Sequence, residues 1–163
     1  MSEQVDLPPD ASRAGGSDHR SPVQTLSLGL VYAYSQPPVQ VWRALTEDIA
    51  LWWSERIHPE ARTVLPAQPG EKWVQLWSNG GAFLGTVTHV HAPLLLRVTG
   101  PLAMTTPVTN TVEFRLELME SGSTRMHLTH HAVGMLGGAD ESGYTEVWDQ
   151  LFKVNLANFL ERR

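Results

Sequence analysis

Hydrophobic and polar residues alternate in several segments of the chain. The alternation begins over residues 24–34 and returns from residue 61 onward, in the segments 72–77, 83–91, 94–99, 111–118 and 125–131. A period of two is typical of half-buried β-strands. Short polar turns such as Asn79-Gly80-Gly81 separate consecutive segments. The pattern therefore predicts about six to seven strands joined mainly by hairpins, which favours an antiparallel sheet.

Three other segments have helical spacing. Pro37 and Pro38 fit the first turn of a helix, where a missing N–H costs nothing. Thr46 is expected to cap a second short helix, and Asp140 a last helix of about twenty residues that ends near Leu160. One face of this last helix carries Tyr144, Trp148, Leu151, Phe152, Asn155 and Phe159.

The order of these elements predicts an α+β fold of the helix-grip type. A curved antiparallel sheet of about six to seven strands would wrap around the long C-terminal helix, with two short helices after the first strand. Residues 1–22 have no apolar periodicity and are interpreted as a flexible polar N-terminal tail. Residues 23–163 are interpreted as a single domain.

Composition narrows the range of partners. The net charge is −5 with no cluster of Lys or Arg, which disfavours nucleic acid and anionic membrane surfaces. The absence of cysteine excludes disulfides and thiolate chemistry. Neither a signal peptide nor a transmembrane segment is evident, so the expected compartment is the cytoplasm. No cofactor is expected, and a homodimer is compatible with the sequence.

Residues 37–46, followed by Trp52-Trp53, carry a resemblance to a known family. They resemble the opening of the SRPBCC (START-like) superfamily, and more narrowly its bacterial branch similar to the activator of the heat-shock-protein-90 ATPase. The similarity extends from about Val23 to Leu160. It implies a helix-grip fold with an internal cavity. Gly100 stands where the family usually has Trp, which is expected to leave more room or less stacking surface at one end of the cavity.

Several histidines are candidate metal ligands. His89 and His91 share one strand face, and His127 and His131 share another, but no carboxylate or thiolate completes a ligand set in sequence. We therefore predict no metal site. His130 points the other way, onto an apolar face, where a buried polar group needs a partner. It is interpreted as a group that orients a ligand, transfers a proton or bonds to a protein carbonyl.

Alternation also predicts which residues line the cavity. They lie on the inner face of the sheet, on the facing side of the C-terminal helix, or at the end of the second short helix. The candidates are Tyr32, Trp52, Trp73, Trp77, Val87, Val98, Phe114, Met126, Leu128, His130, Trp148, Phe152 and Asn155. The competing interpretation is that these side chains fill the core and leave no vacancy.

The favoured hypothesis is a module that binds a small, largely apolar molecule, lipid-like, aromatic or polyketide-like, without catalysis. The first alternative is a cyclase, dehydratase or hydrolase that uses the same cavity, with His130 as a weak candidate for the catalytic group. The second alternative is a protein-interaction module related to the chaperone activator. Fold alone does not decide among them.

Overall fold

The computed structural model describes residues 22–163, so the tail predicted for residues 1–22 lies almost entirely outside the described residues. The strands are β1 (Gln24–Tyr34), β2 (Arg62–Val64), β3 (Lys72–Trp77), β4 (Gly80–His91), β5 (Leu95–Gly100), β6 (Val108–Leu118) and β7 (Thr124–Gly134). The helices are α1 (Pro38–Thr46), α2 (Ile49–Trp52), α3 (Glu141–Asp149) and α4 (Leu156–Glu161), with a π-helical segment (Gln150–Asn155) between α3 and α4. None of these helices is long and apolar enough to cross a membrane.

The strands form one antiparallel sheet in the order β1-β7-β6-β5-β4-β3-β2. Their alternation places one set of side chains in the core: Val112 and Phe114 of β6 and Met126 and Leu128 of β7 are all fully buried. The predicted α+β architecture, with a sheet gripping a C-terminal helix, is therefore confirmed.

The C-terminal helix runs continuously from Glu141 to Glu161 through the π-helical segment. Asp140 caps it as predicted, because its carboxylate accepts a hydrogen bond from the Gly143 N–H at 2.8 Å. The wider π turn inserts a residue and rotates the last turns of the helix about its axis. The predicted apolar face therefore holds through Phe152, after which Leu156 and Leu160 take the buried positions.

The first two helices come after the prolines as predicted, but the capping role of Thr46 was wrong. Thr46 is the last residue of α1, and its hydroxyl donates to the Trp42 carbonyl one turn earlier, at 2.8 Å. A hydroxyl used within its own helix cannot cap the next one. Asp48 holds the cap position of α2 without a side-chain bond. Trp53 directly follows α2 and turns the chain toward β2.

Candidate ligand-binding pocket

A pocket of about 220 Å³ lies at one end of the interface between the sheet and the C-terminal helix. Its walls come from the segment after α2, from β3 and β4, from the loop after β5, and from the start of the C-terminal helix. The lining residues are Trp53, Glu55, Arg56, Ile57, Trp73, Gln75, Leu84, Leu102, Ala103, Tyr144, Val147, Trp148 and Leu151. Most of them are apolar or aromatic, as is usual for sites that bind small molecules.

Three indoles form the aromatic wall. Trp53 packs edge-to-face against Trp73, with centroids 5.4 Å apart at 84°, and against Trp148 at 6.4 Å. The Trp53 N–H donates to the Glu55 carbonyl at 3.0 Å. The Trp148 N–H donates to Nδ1 of His130 at 3.1 Å. These bonds fix the rings of Trp53 and Trp148 in the wall of the pocket.

Trp73 differs from its two neighbours. Its side chain is 1% exposed, yet its indole N–H has no hydrogen-bond partner among the residues that the structure describes. Pairing between β3 and β4 shifts register immediately after Trp73, opposite Gly85 and Phe83. Such an irregularity redirects side chains. Both Trp73 and the intervening Leu84 point into the core and border the pocket.

Gln75 ties the segment after α2 to β3. Its Oε1 accepts from the Ile57 N–H at 2.9 Å, and its Nε2 donates to the Glu55 carbonyl and to the Thr63 hydroxyl. The side chain is 1% exposed, so these bonds satisfy a buried amide. These hydrogen bonds therefore anchor the segment around Arg56, at the mouth of the pocket, to β3.

The wall formed by the loop after β5 depends on two features of the backbone: positive φ angles and a close approach to β4. Leu102 and Ala103 both have positive φ, 48° and 63°, a conformation that costs energy for non-glycine residues. The Leu102 N–H donates to the Leu84 carbonyl at 2.9 Å, which holds the loop against β4. Gly100 approaches β4 so closely that a Cβ would lie 2.5 Å from that carbonyl oxygen and would meet the Cα of Gly85. Gly100 is therefore required by the close approach of β5 to β4, and the expectation that it leaves more room or less stacking surface stays a prediction.

His130 lies outside the pocket lining and is 0% exposed. Its Nδ1 accepts from Trp148, so the ring proton is on Nε2 and is donated to Oδ1 of Asn110 at 2.8 Å. Asn110 in turn donates to the Gly100 carbonyl at 3.2 Å. Burial, with a smaller effect of the adjacent His131, lowers the pKa of His130 to about 4. The imidazole is neutral and fully bonded within the protein, which gives it a structural role.

The predicted lining residues separate into three groups. Trp73 and Trp148 border the pocket. A second group is wholly buried in the adjoining core, at most 6% exposed: Trp52, Val87, Val98, Phe114, Met126, Leu128, His130 and Phe152. Phe152 packs against five other aromatic rings, with centroids 5.5–6.3 Å away. This cluster fills most of the space that the alternation assigned to a cavity.

The third group lies elsewhere. Trp77 stacks on His58 at 5.1 Å. Tyr32 borders a separate surface groove and donates its hydroxyl to Asp149 at 2.8 Å; burial, with that bond, raises the pKa of Tyr32. Asn155 donates to the Ser54 hydroxyl at 2.7 Å. The structure does not bring these three side chains to the pocket.

Two of the four histidines considered as metal ligands make other polar contacts. His131 bonds to the Ser27 hydroxyl at 3.0 Å, and His127 lies 3.1 Å from Glu117. Within residues 22–163, no group of three or more His, Cys, Asp or Glu is placed to hold a metal ion.

Several lining residues escaped the sequence interpretation. Trp53 lies beside Trp52 at the end of the second predicted helix, although only Trp52 was predicted to line the cavity. Tyr144 shares the predicted helix face with Trp148 and was also within reach. Leu102 and Ala103 had no signal, because their positions depend on loop geometry rather than on periodicity.

Comparison with known proteins agrees with this architecture. A family profile described as "Activator of Hsp90 ATPase homolog 1-like protein" matches residues 35–161. A protein from Mesorhizobium loti is 23% identical, with a TM-score of 0.60 over 83% of this chain and 97% of that one. One from Rhizobium leguminosarum is 19% identical, with a TM-score of 0.66 over 87% and 98%. An Hsp90 activator from Plasmodium falciparum is 16% identical, with a TM-score of 0.60 over 83% and 96%.

No curated protein matches the sequence. The structural likenesses are all below 25% identity and establish the fold. The family match covers most of the chain and includes the C-terminal helix as well as the opening helices that carry the sequence resemblance. This chain therefore belongs to the family of proteins like the activator of Hsp90 ATPase homolog 1.

Proposed function

We propose that this protein binds a small, largely apolar molecule in the pocket between the sheet and the start of the C-terminal helix. The observation that carries the proposal is a pocket of about 220 Å³, open to solvent on one side and walled by Trp53, Trp73, Tyr144 and Trp148, at the end of a filled aromatic core. Apolar and aromatic side chains around a concave surface are typical of sites that bind small molecules.

The volume limits how much of a ligand the pocket can enclose. An apolar cavity of about 150 Å³ accommodates a benzene molecule, whereas pockets for drug-sized ligands are about 300 Å³ or larger. The present pocket lies between these values. It suits one or two fused rings, or a short branched chain, better than a long lipid.

The walls are arranged for binding in advance. Trp53 and Trp148 are fixed by their indole hydrogen bonds, and Gln75 holds the mouth. A pre-formed site avoids the entropy cost of ordering its own side chains when the ligand enters. Leu102 and Ala103 hold a strained backbone at this same wall, and strain of this kind is concentrated at functional sites.

The proposal is binding rather than catalysis. Proton transfer needs a titratable group within hydrogen-bond reach of the substrate. His130 is buried behind Trp148, with both ring nitrogens engaged by protein atoms. Glu55 and Arg56 lie at the exposed rim of the pocket, where water solvates their charged groups. We therefore assign them to the entrance rather than to a reaction inside the pocket.

Calorimetric titration with naphthalene tests the proposal, using two matched variants. Val147 lines the pocket and is 39% exposed, whereas Val154 lies outside the lining and is 41% exposed. Val147→Phe should weaken binding by about ten-fold, because overpacking a site costs about 1–3 kcal/mol. Val154→Phe should leave the affinity unchanged. The proposal fails if naphthalene does not bind, or if the two variants behave alike.

A further inference from the structure

The strand β1 forms one edge of the sheet and is open to pairing. Among residues 22–163, only β7 pairs with β1, and no backbone hydrogen bond from a loop or a helix reaches its other edge. Alternate residues of an edge strand direct their N–H and C=O groups away from the sheet, where another strand can pair with them. We propose that this edge pairs with the same edge of a second copy of this chain, in antiparallel orientation about a two-fold axis.

The two edges of the sheet differ in their protection against such pairing. Proteins protect an edge by keeping the strand short, by placing charged residues or proline on it, or by a bulge. At the far edge, β2 has three residues and begins with Arg62. The strand β1 has eleven residues, no charged residue and no proline, and it pairs with β7 through eleven consecutive positions without a bulge. It therefore lacks each of these protections.

The space beside β1 is also open. A groove of about 310 Å³ lies between this strand and the C-terminal helix. Val31 and Tyr32 point to opposite faces of the strand and are 59% and 6% exposed, yet both line the groove. The groove therefore passes around the free edge, and the helix leaves this part of the edge accessible to a partner strand.

The sequence of β1 favours a second copy as that partner. Gly29 is the middle residue of the strand, so full antiparallel overlap places it opposite Gly29 of the second copy, and Gln24 opposite Tyr34 of the second copy. The side chains on the outer face of β1 are uncharged, so no like charges face one another although the chain carries a net charge of −5. A two-fold contact satisfies both edges and closes the assembly at two copies. An extended peptide would pair with β1 but leave its own second edge unpaired.

Gly29 provides the test, because on the two-fold axis a side chain at this position lies opposite its own copy. In the single chain, a Cβ at Gly29 would meet no atom within 4 Å. Sedimentation velocity over a concentration series at low salt should show the wild type forming dimers. Gly29→Lys and Gly29→Glu should each weaken the dimer by about five-fold, since like charges directly opposite one another repel. An equimolar mixture of the two variants should recover the lost association, because Lys then faces Glu.

Thr109→Lys is the matched control. It adds the same charge to the same outer face of the sheet at an exposed position of β6, which lies two strands in from the free edge. It should leave dimerisation unchanged. Equal weakening by Thr109→Lys and Gly29→Lys would reflect charge in general and would overturn the proposal, as would a mixture of the Gly29 variants that recovers nothing.

Hydrogen exchange locates the contact in the wild type. A higher protein concentration should slow the exchange of alternate amides of β1, those directed away from β7, and leave the amides of β2 unchanged. A wild type that stays monomeric up to about 1 mM would overturn the proposal. Protection of these amides that does not change with concentration would also overturn it, because that result indicates pairing within one chain. The proposed binding function is tested separately, because the residues that line its pocket lie outside β1.

Discussion

Lowering the pH from 7.5 to 5 should reduce the free energy of unfolding by about 2 kcal/mol through His130 alone. The side chain is 0% exposed, and its Nδ1 accepts the Trp148 N–H while its Nε2 donates to Asn110. Protonation would place a second proton on Nδ1, facing a donor, inside an apolar core. The folded state therefore holds the imidazole neutral, which agrees with a pKa of about 4.

The sign of the effect comes from comparing the folded and unfolded chains. His130 has a pKa of 6.5 when unperturbed, so the unfolded chain takes up a proton as the pH falls below that value. The folded chain resists protonation until about pH 4. Stability is therefore fully present above pH 6.5 and is lost as the pH falls toward 4. A difference of about 2.5 pKa units corresponds to about 3 kcal/mol at most, and about 2 kcal/mol of this is reached by pH 5.

Urea unfolding at a series of pH values measures this effect. His130→Gln keeps a donor and an acceptor but cannot titrate, so it should be less stable than the wild type at pH 7.5, with a gap that narrows by about 2 kcal/mol at pH 5. His131→Gln, at the exposed neighbouring position, is the matched control and should keep most of the wild-type pH dependence. A gap between wild type and His130→Gln that stays constant with pH would refute the reasoning.

Three further substitutions and one control, Gly29→Ala, test local packing and hydrogen bonding by urea unfolding. Gly100→Ala should cost about 1–3 kcal/mol because its methyl group meets the backbone of Gly85, whereas Gly29→Ala, with open space around it, should cost nothing. Tyr34→Phe should cost about 1–2 kcal/mol, since its buried hydroxyl donates to a carbonyl of the π-helical segment at 2.7 Å. Asn155→Ala should change stability by less than about 0.5 kcal/mol and leave naphthalene affinity, measured by calorimetry, unaltered.

The sheet could be predicted because its signal is local. Along β6 and β7, alternate residues such as Phe114 and Leu128 are buried and their neighbours are not, and this is visible as a period of two in the sequence. The glycines of the hairpins and the cap at Asp140 are equally local. Strand order is then set largely by consecutive hairpins, since neighbours in sequence become neighbours in the sheet.

The phase of the C-terminal helix could not be predicted in the same way. A spacing of 3.6 residues assigns Asn155 and Phe159 to the apolar face, but the π turn shifts that face to Leu156 and Leu160. The turn is associated with tertiary contacts, including the hydroxyl of Tyr34 on the Phe152 carbonyl. Residue spacing within the helix carries no information about a partner more than a hundred positions away.

The pocket was the least predictable feature, because alternation reports which side chains face inward but not how much space they leave. Val87, Val98 and Phe114 do face inward and are fully buried, yet they belong to the filled core rather than to the wall of a vacancy. Whether a vacancy exists depends on loops and on close backbone approaches. Gly100 and the left-handed residues after it are examples whose consequence appears only once β4 and β5 are paired.

The pocket and the most densely packed part of the core lie in different parts of the fold. Phe152 and the rings around it occupy the middle of the grip, and their mutual contacts stabilise the helix on the sheet. The vacancy is displaced to the end where the chain after α2 and the loop after β5 meet α3. Side chains in such loops can change without removing core contacts. If the proposed function holds, we expect ligand preference to depend mainly on Trp53, Leu102 and their neighbours, and stability to depend on the cluster at Phe152.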